Sequence, residues 1–216
     1  MGIVTKIELI GTDGVKCRLY MDHHYIGDYH LETIYRLHID KDKEVEPTLL
    51  EAMEKEEQLL ACKNYGVRLV SRSLYTEKQI EQKMTQRGYE ASVIEETLQL
   101  LKEYGYINDT YYSEAFIKNA QNVSKYGKRR IKMLMQQKSV ASKTIAQSIE
   151  NHFDADIEFE NAMKLAEKKY KQIKNEEIIK VKAKLYRYLA YRGFENDLIN
   201  RVIKQITQSN EGDYYE

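Results

Sequence analysis

Residues 87–94 read RGYEASVI, and similar segments recur as KSVASKTI at 138–145 and RGFENDLI at 192–199. The copies start at 87, 138 and 192, so they are offset by 51 and 54 residues. Apolar residues precede each copy at the same four-residue step: Ile80 and Met84, Ile131 and Met135, and Leu185 and Leu189. This step places each pair on one face of a helix. The sequence therefore predicts a helical module repeated three times.

Each copy is predicted to contain three helices. A helical pattern also covers about 49–73, 110–124 and 157–173, ahead of the apolar pairs. Tight turns at Gly88, Ser139 and Gly193 then link the second and third helices, since glycine suits the left-handed residue that ends a helix. Thr76 is predicted to cap the helix that follows it.

A unit of this size completes its core by packing on its neighbours. We therefore predict a mainly α fold of three tandem, helix-turn-helix-like repeats that form an elongated curved rod. The predicted repeats cover 47–108, 109–154 and 155–208, and a disordered tail covers 209–216.

The first 46 residues follow a different pattern. Segments 4–10 and 15–20 alternate apolar and polar residues around a glycine-containing turn, and 25–29 is compatible with a third short strand. We predict a small β-hairpin or meander with a short helix near Leu31–Leu37. A linker at 41–47 ends at Pro47, which suits the first turn of the next helix.

Charge is unevenly distributed, although the net charge of the chain is zero. Residues 1–57 hold 13 acidic and 7 basic residues. Residues 115–149 hold no acidic residue, and they contain eight basic ones: Lys118, Lys125, Lys128, Arg129, Arg130, Lys132, Lys138 and Lys143. A second basic stretch, 164–192, has ten basic residues against three acidic ones. Basic segments of this kind attract polyanions.

Several stretches in the right order resemble the RecX family. The first repeat has LVSRSLYTEKQI at 69–80 and the following Arg87-Gly88-Tyr89. The most recognisable stretch has Leu98, Leu101 and YGYIND at 104–109, with Tyr112 and AF at 115–116. The second repeat has KYGKRRI at 125–131 and QKSV at 137–140, and the third has RGF at 192–194 with Leu198 and Ile199. The resemblance covers about residue 59 to the end, and the N-terminal strands fit the longer members.

Two positions depart from the family pattern, and both lie in the second repeat. Lys128 stands where the family often has proline after glycine, and Ser139 replaces the usual turn glycine.

The resemblance implies a regulator in homologous recombination, DNA repair and the SOS response. It would bind the RecA recombinase along the groove of its DNA filament, lower ATP hydrolysis and strand exchange, and have some direct affinity for DNA. The predicted partner- or DNA-binding residues are Lys118, Lys125, Tyr126, Lys128, Arg129, Arg130, Lys132, Lys138, Arg72 and Arg87.

The residues themselves leave the ligand open. If 120–138 is partly helical, Lys125, Lys128, Arg129 and Lys132 fall largely on one exposed face, whereas Arg130 can flank the apolar side. Such a face can bind DNA phosphates, with Tyr126 stacking on a base. It can equally bind an acidic surface of RecA, or it can be a solvated helix face that binds nothing. The second basic stretch is compatible with a solvated face and with a contact surface alike. One or two of Tyr186, Tyr188 and Tyr191 are expected in the core, and stacking of these rings on a ligand is the alternative. A DNA-binding module that acts on single- or double-stranded DNA directly is the alternative function.

No motif of an enzyme is present: the phosphate-binding loop, the nucleophile elbow and the HExxH zinc motif are all missing. We expect no cofactor and no metal, although His23, His24, His30 and His38 lie close in sequence and 40–44 mimics part of a calcium loop. Cys17 and Cys62 are expected as reduced thiols. A cytoplasmic monomer without signal peptide or membrane span is the remaining expectation.

Overall fold

The computed structural model describes residues 1–11 and 15–211, with side chains described through Gln208. The chain divides into two compact units. The first unit comprises Met1–Ser73 and Ile80–Ile107, and the second comprises Leu74–Gln79 and the chain from Asn108 onward.

An antiparallel sheet opens the first unit. Within the described residues its strands are β1 (Gly2–Ile10), β2 (Lys16–Met21), β3 (His24–His30) and β4 (Glu44–Val45), in the order β3-β2-β1-β4. The predicted meander is confirmed, and β4 adds a strand within the segment predicted as a linker. It pairs with the start of β1, with Gly2 opposite Val45.

One face of the sheet packs against two helices, α1 (Leu31–Arg36) and the first half of α2 (Pro47–Val70). Buried residues alternate along the strands, as a half-buried strand requires. Together with the helices they form one core: Val4, Cys17, Leu19, Met21, Tyr29, Ile34, Ile39, Val45 and Met53. Pro47 occupies the start of α2, as predicted. Both cysteines are free and buried, and burial raises the pKa of each thiol.

The second half of α2 packs on α4 (Ala91–Glu103), and α3 (Glu77–Gln86) contributes Ile80 and Met84 to the same core. Gly66 lies where a side chain would meet Met84 and Leu101 at 2.8 Å, so glycine permits the close approach of α2. The apolar residues predicted for α4, Ile94, Leu98 and Leu101, are all buried.

In the second unit, two further sets of three helices follow within the described residues. The second repeat contains α5 (Asp109–Asn122), α6 (Lys128–Gln137) and α7 (Ser142–His152) around Ile117, Ile131, Met135 and Ile145. The third contains α8 (Ala155–Ile173), α9 (Ile178–Arg192) and α10 (Asn196–Glu211) around Leu185, Leu189, Phe194 and Ile199.

The predicted mainly α class with three repeats and a small N-terminal sheet is confirmed. Gly88, Ser139 and Gly193 all adopt a positive φ, of 88°, 60° and 90°. The backbone is helical to Glu211, inside the predicted tail of 209–216; residues 212–216 lie outside the described part, so the tail stays a prediction. The exact limits of the three repeats stay a prediction.

Candidate polyanion-binding site

The start of α6 is the densest basic element of the second unit. Lys128, Arg129 and Lys132 are exposed, whereas Ile131 and Met135 of the same helix are fully buried. We call these three exposed residues the α6 ridge. Among the described residues, no carboxylate forms an ion pair with any of the three side chains. The ridge therefore presents three cations to solvent.

Lys125 does not extend this face, contrary to the prediction. Helix α5 ends at Asn122 and α6 begins at Lys128, so Lys125 lies in the connecting loop. It is half-buried and has a φ of 53°, which ends any helical continuation.

A close approach of two glycine backbones fixes the start of α6. The Gly127 N–H donates to the Arg192 carbonyl and the Arg129 N–H to the Gly193 carbonyl, each at 3.0 Å. A side chain on Gly127 would lie 2.5 Å from the Gly193 carbonyl, and one on Gly193 would lie 2.3 Å from Arg130 Cβ. The turn between α9 and α10 thus packs directly on the loop that precedes α6.

A buried carboxylate supplies another partner for this helix start. Glu158 of α8 is 8% exposed, and its Oε1 accepts the Lys128 N–H at 2.8 Å. The first N–H groups of a helix have no partner within the helix, so an acceptor is needed there. Burial raises the pKa of the Glu158 carboxyl, and the Glu195 carboxylate raises it further, whereas the bond from Lys128 lowers it in part.

Arg130 and Arg192 both lie over the ring of Tyr126, with Cζ at 5.8 Å and 4.7 Å from its centroid. Arg192 also donates to the carbonyls of Ser124 and Lys125. Tyr126 itself is half-buried and packs on the core of the second repeat. The ring therefore supports the loop from within, and its predicted stacking on a base stays a prediction.

The remaining predicted residues belong to other elements of the two units. Lys118 forms an ion pair with Glu114 along α5 at 2.7 Å. Lys138 is half-buried, and its backbone carbonyl accepts a hydrogen bond from the Thr76 hydroxyl. Thr76 and Gln79 also bond each other reciprocally, which confirms Thr76 as a cap. Arg72 and Arg87 belong to the first unit, where both are exposed, and the Arg87 guanidinium lies 4.9 Å from the Tyr65 ring centroid.

The second basic stretch forms an open groove between α8 and α9, of about 460 Å³. Its lining consists of Lys169, Ile173, Lys184, Arg187, Tyr188 and Tyr191. Tyr186 and Tyr188 pack on the core of the third repeat, as expected for part of this set, whereas Tyr191 is 73% exposed. Arg130 is far away along the chain, yet its guanidinium lies 5.7 Å from the Tyr191 ring centroid, a contact that no sequence pattern indicates.

One of the histidines that lie close in sequence has a carboxylate partner. His30 bonds Glu57 through Nδ1 at 2.7 Å. Among the described residues, no group of three His, Cys, Asp or Glu side chains is placed to hold a metal ion. None of the described helices combines the length and apolar character needed to cross a bilayer.

Comparisons with known proteins match the three repeats separately. Residues 62–101, 108–149 and 156–203 match the family models described as the first, second and third three-helix domains of RecX. The chain is also similar to regulatory protein RecX of Clostridioides difficile, with 30% identity over 213 residues, 99% of this chain and 100% of the relative. Identity to the protein of the same name from Clostridium perfringens (strain 13 / Type A) is 31% over 211 residues, 97% and 98% of the two chains.

Two crystal structures share the fold. One of a regulatory protein RecX has a TM-score of 0.80 and 19% identity, covering 94% of this chain and 98% of the other. The other, RecX from Lactobacillus salivarius, has a TM-score of 0.67 and 22% identity, covering 71% and 99%. At these identities the likeness extends to the fold alone.

Proposed function

The chain belongs to the RecX family of regulatory proteins, and from this premise we propose that it binds RecA filaments on DNA in the cytoplasm and restrains their ATPase and strand-exchange activity. The protein itself catalyses no reaction in this proposal. A ligand that binds one filament state better than another shifts the equilibrium between them by its difference in affinity. Lowered ATP turnover is then a property of RecA in the bound state.

The α6 ridge is the single observation that best supports the proposal. A filament on DNA is a long polyanion, and neutralising phosphates with Lys and Arg releases counterions, which favours binding. Cations that already pair with carboxylates would have to give up those partners first. The three ridge cations have no such partner among the described residues, and the helix start beneath them is held by Gly193 and Glu158.

The test compares two triple variants in a RecA ATPase assay on single-stranded DNA. Lys128→Ala/Arg129→Ala/Lys132→Ala removes the ridge. Lys164→Ala/Lys168→Ala/Lys171→Ala removes the same charge from exposed positions of α8 in the same unit. We expect the wild-type protein and the α8 variant to inhibit ATP hydrolysis at amounts below that of RecA. The ridge variant should need at least about 10-fold more protein for the same inhibition, because three lost contacts at ~0.5–1 kcal/mol each weaken binding by that factor or more.

Two outcomes would contradict the proposal. Unchanged RecA turnover at any amount of wild-type protein would refute regulation of RecA. Inhibition that begins only once the DNA is saturated, with binding to DNA alone that weakens steeply with salt, would favour the alternative of a DNA-binding module. Circular dichroism of both variants checks that helicity is retained.

A further inference from the structure

We propose that the groove between α8 and α9 is a subsite for a single unstacked nucleotide of single-stranded DNA, with the base on Tyr191 and the neighbouring phosphates on basic residues at either side. The proposal rests on the proposed function for its biological setting. The groove itself is formed by helices α8 and α9 of the third repeat and is present whether or not the protein regulates RecA.

Helix α9 presents one continuous face to this groove. Lys184, Arg187, Tyr188 and Tyr191 are spaced by three, one and three residues, which brings them onto one side of the helix. They span about 10 Å along the axis, at ~1.5 Å per residue. Lys169 and Ile173 of α8 form the opposite wall. The result is a short trough with cations at one end and aromatic rings at the other.

Positive charge continues beyond the aromatic end. Arg130 lies over Tyr191, and it follows Arg129 of the α6 ridge directly in the chain. Tyr191 therefore has Arg187 beside it in the groove lining and Arg130 over its ring. A nucleotide within a strand carries one phosphate before and one after its sugar, and this arrangement of a ring between two cations matches that pattern.

Not all of the groove cations are available. Lys184 donates to both carboxylate oxygens of Glu176 at 2.6 Å, so its charge is largely neutralised. Lys169 and Arg187 form no ion pair among the described residues; the Lys169 ammonium bonds only the Gln172 amide, at 3.4 Å. Lys169 and Arg187 are thus the groove cations without an ion pair among the described residues, and Arg130 adds a further cation over the Tyr191 ring.

The exposed ring decides between ligands. A base within a duplex is stacked on both faces, so it cannot lie on Tyr191 unless it is displaced. An acidic protein surface would use the cations and leave the ring without a role. Single-stranded DNA uses both, because every base has a face that stacks on an aromatic side chain while the backbone follows the positive charge.

The experiment measures fluorescence anisotropy of labelled oligothymidylate and of an abasic oligonucleotide of equal length, which keeps the phosphates and lacks the bases. Tyr191→Leu should weaken binding of oligothymidylate by about 5- to 140-fold, equivalent to ~1–3 kcal/mol for one stacked base. It should leave binding of the abasic strand unchanged. Tyr191→Phe should bind both as wild type does. Arg187→Gln should weaken binding of both and reduce the salt slope by about 0.7.

Tyr111→Leu is the matched control, because Tyr111 is 58% exposed on α5 of the same unit; it should bind like wild type. Equal loss for both oligonucleotides with Tyr191→Leu, or no loss for either, would overturn the subsite. The RecA ATPase assay separates the two proposals. Inhibition by a Tyr191→Leu protein that also binds oligothymidylate normally leaves the regulatory function standing and refutes the groove. Selective loss of oligothymidylate binding supports the groove even if wild-type protein fails to inhibit RecA.

Discussion

Lys128 shows how one residue that departs from the family pattern is accommodated. It begins α6 at a position where the family often has proline, which suits a first helical turn because its missing N–H needs no partner there. Lysine brings an N–H, and Glu158 accepts it. Lysine at this position therefore depends on the Glu158 carboxylate, 30 residues away along the chain. That carboxylate is buried, and burial disfavours its charged form.

We predict that two substitutions of Glu158 separate its hydrogen bond from its charge. Glu158→Ala leaves the Lys128 N–H without this acceptor and should lower the free energy of unfolding by about 1–3 kcal/mol. Glu158→Gln keeps an oxygen that can accept the bond and removes a charge whose burial is unfavourable. It should be at least as stable as wild type near neutral pH. Urea unfolding followed by circular dichroism measures both.

The raised pKa of Glu158 also predicts the sign of a pH effect. The folded protein keeps the proton of Glu158 to higher pH than the unfolded chain does. Its stability contribution is therefore greatest below the ordinary pKa of a glutamate and falls as the pH rises through the raised value. Wild type should lose stability relative to Glu158→Gln over this interval. A stability difference between the two proteins that does not vary with pH would contradict the prediction.

At the scale of elements, the turn between the second and third helix of each repeat has one backbone geometry, but its surroundings differ between the first and third repeats. All three turn residues have a positive φ. A side chain on Gly88 would meet nothing within 4 Å, whereas one on Gly193 would collide with the backbone of Arg130 at 2.4 Å. Gly88 is thus needed for its conformation alone, and Gly193 for conformation and space.

We therefore predict unequal losses for the same change at equivalent positions. Gly88→Ala should cost about 1–2 kcal/mol, the penalty of a left-handed residue that has a side chain. Gly193→Ala should cost a further ~1–3 kcal/mol, because the loop before α6 must move. It should also weaken binding to RecA filaments, since the start of α6 is displaced. Equal urea midpoints for the two variants would show that the close contact at Gly193 is unimportant.

Ser139 provides the converse prediction. Its φ of 60° is unfavourable for a residue that has a side chain. The second repeat therefore adopts the turn geometry at a cost in folding free energy. Ser139→Gly should raise the free energy of unfolding by up to about 1 kcal/mol, measured in the same urea titration. Ser142→Gly, on the exposed first turn of α7, is a control at which glycine should lower stability instead.

At the scale of the whole molecule, zero net charge conceals a strong segregation of charge along the sequence. The N-terminal 57 residues are acidic, whereas the second unit contains both the acid-free stretch and the α8–α9 groove. The electrostatic field that acts on a polyanion is therefore negative near the N-terminal 57 residues and positive near the basic stretches of the second unit. Salt should weaken the binding, because the affected cations are exposed.

We predict that the salt dependence of filament binding reports the α6 ridge. The affinity of wild type for RecA filaments on single-stranded DNA should fall with salt, and the ridge variant should have a shallower slope, by about 0.7 for each phosphate contact removed. The α8 control variant should keep the wild-type slope. Anisotropy of labelled DNA in the filament, titrated at several salt concentrations, measures it. Parallel slopes for all three proteins would place the contact elsewhere.

Periodicity and composition were sufficient for most of the architecture. The recurring apolar pairs, the turn residues and the alternation near the N-terminus each reflect local rules of helix, turn and strand geometry, so the three repeats and the meander were predictable. The exposed cations of α6 were predictable for the same reason, because a helix with one buried face must expose the other. Strand β4 was missed because two residues have too little pattern to distinguish a strand from a linker.

The local sequence alone determined that this is a chain of helical repeats with a basic second repeat. Only the tertiary structure decided which charges are paired, which tyrosine stays exposed, and what holds the start of α6. Those facts depend on residues such as Gly127 and Gly193, or Arg130 and Tyr191, which meet across about sixty positions of sequence. Periodicity describes neighbours one helical turn apart, whereas hydrogen bonds, ion pairs and steric contacts act between whatever atoms the fold brings together.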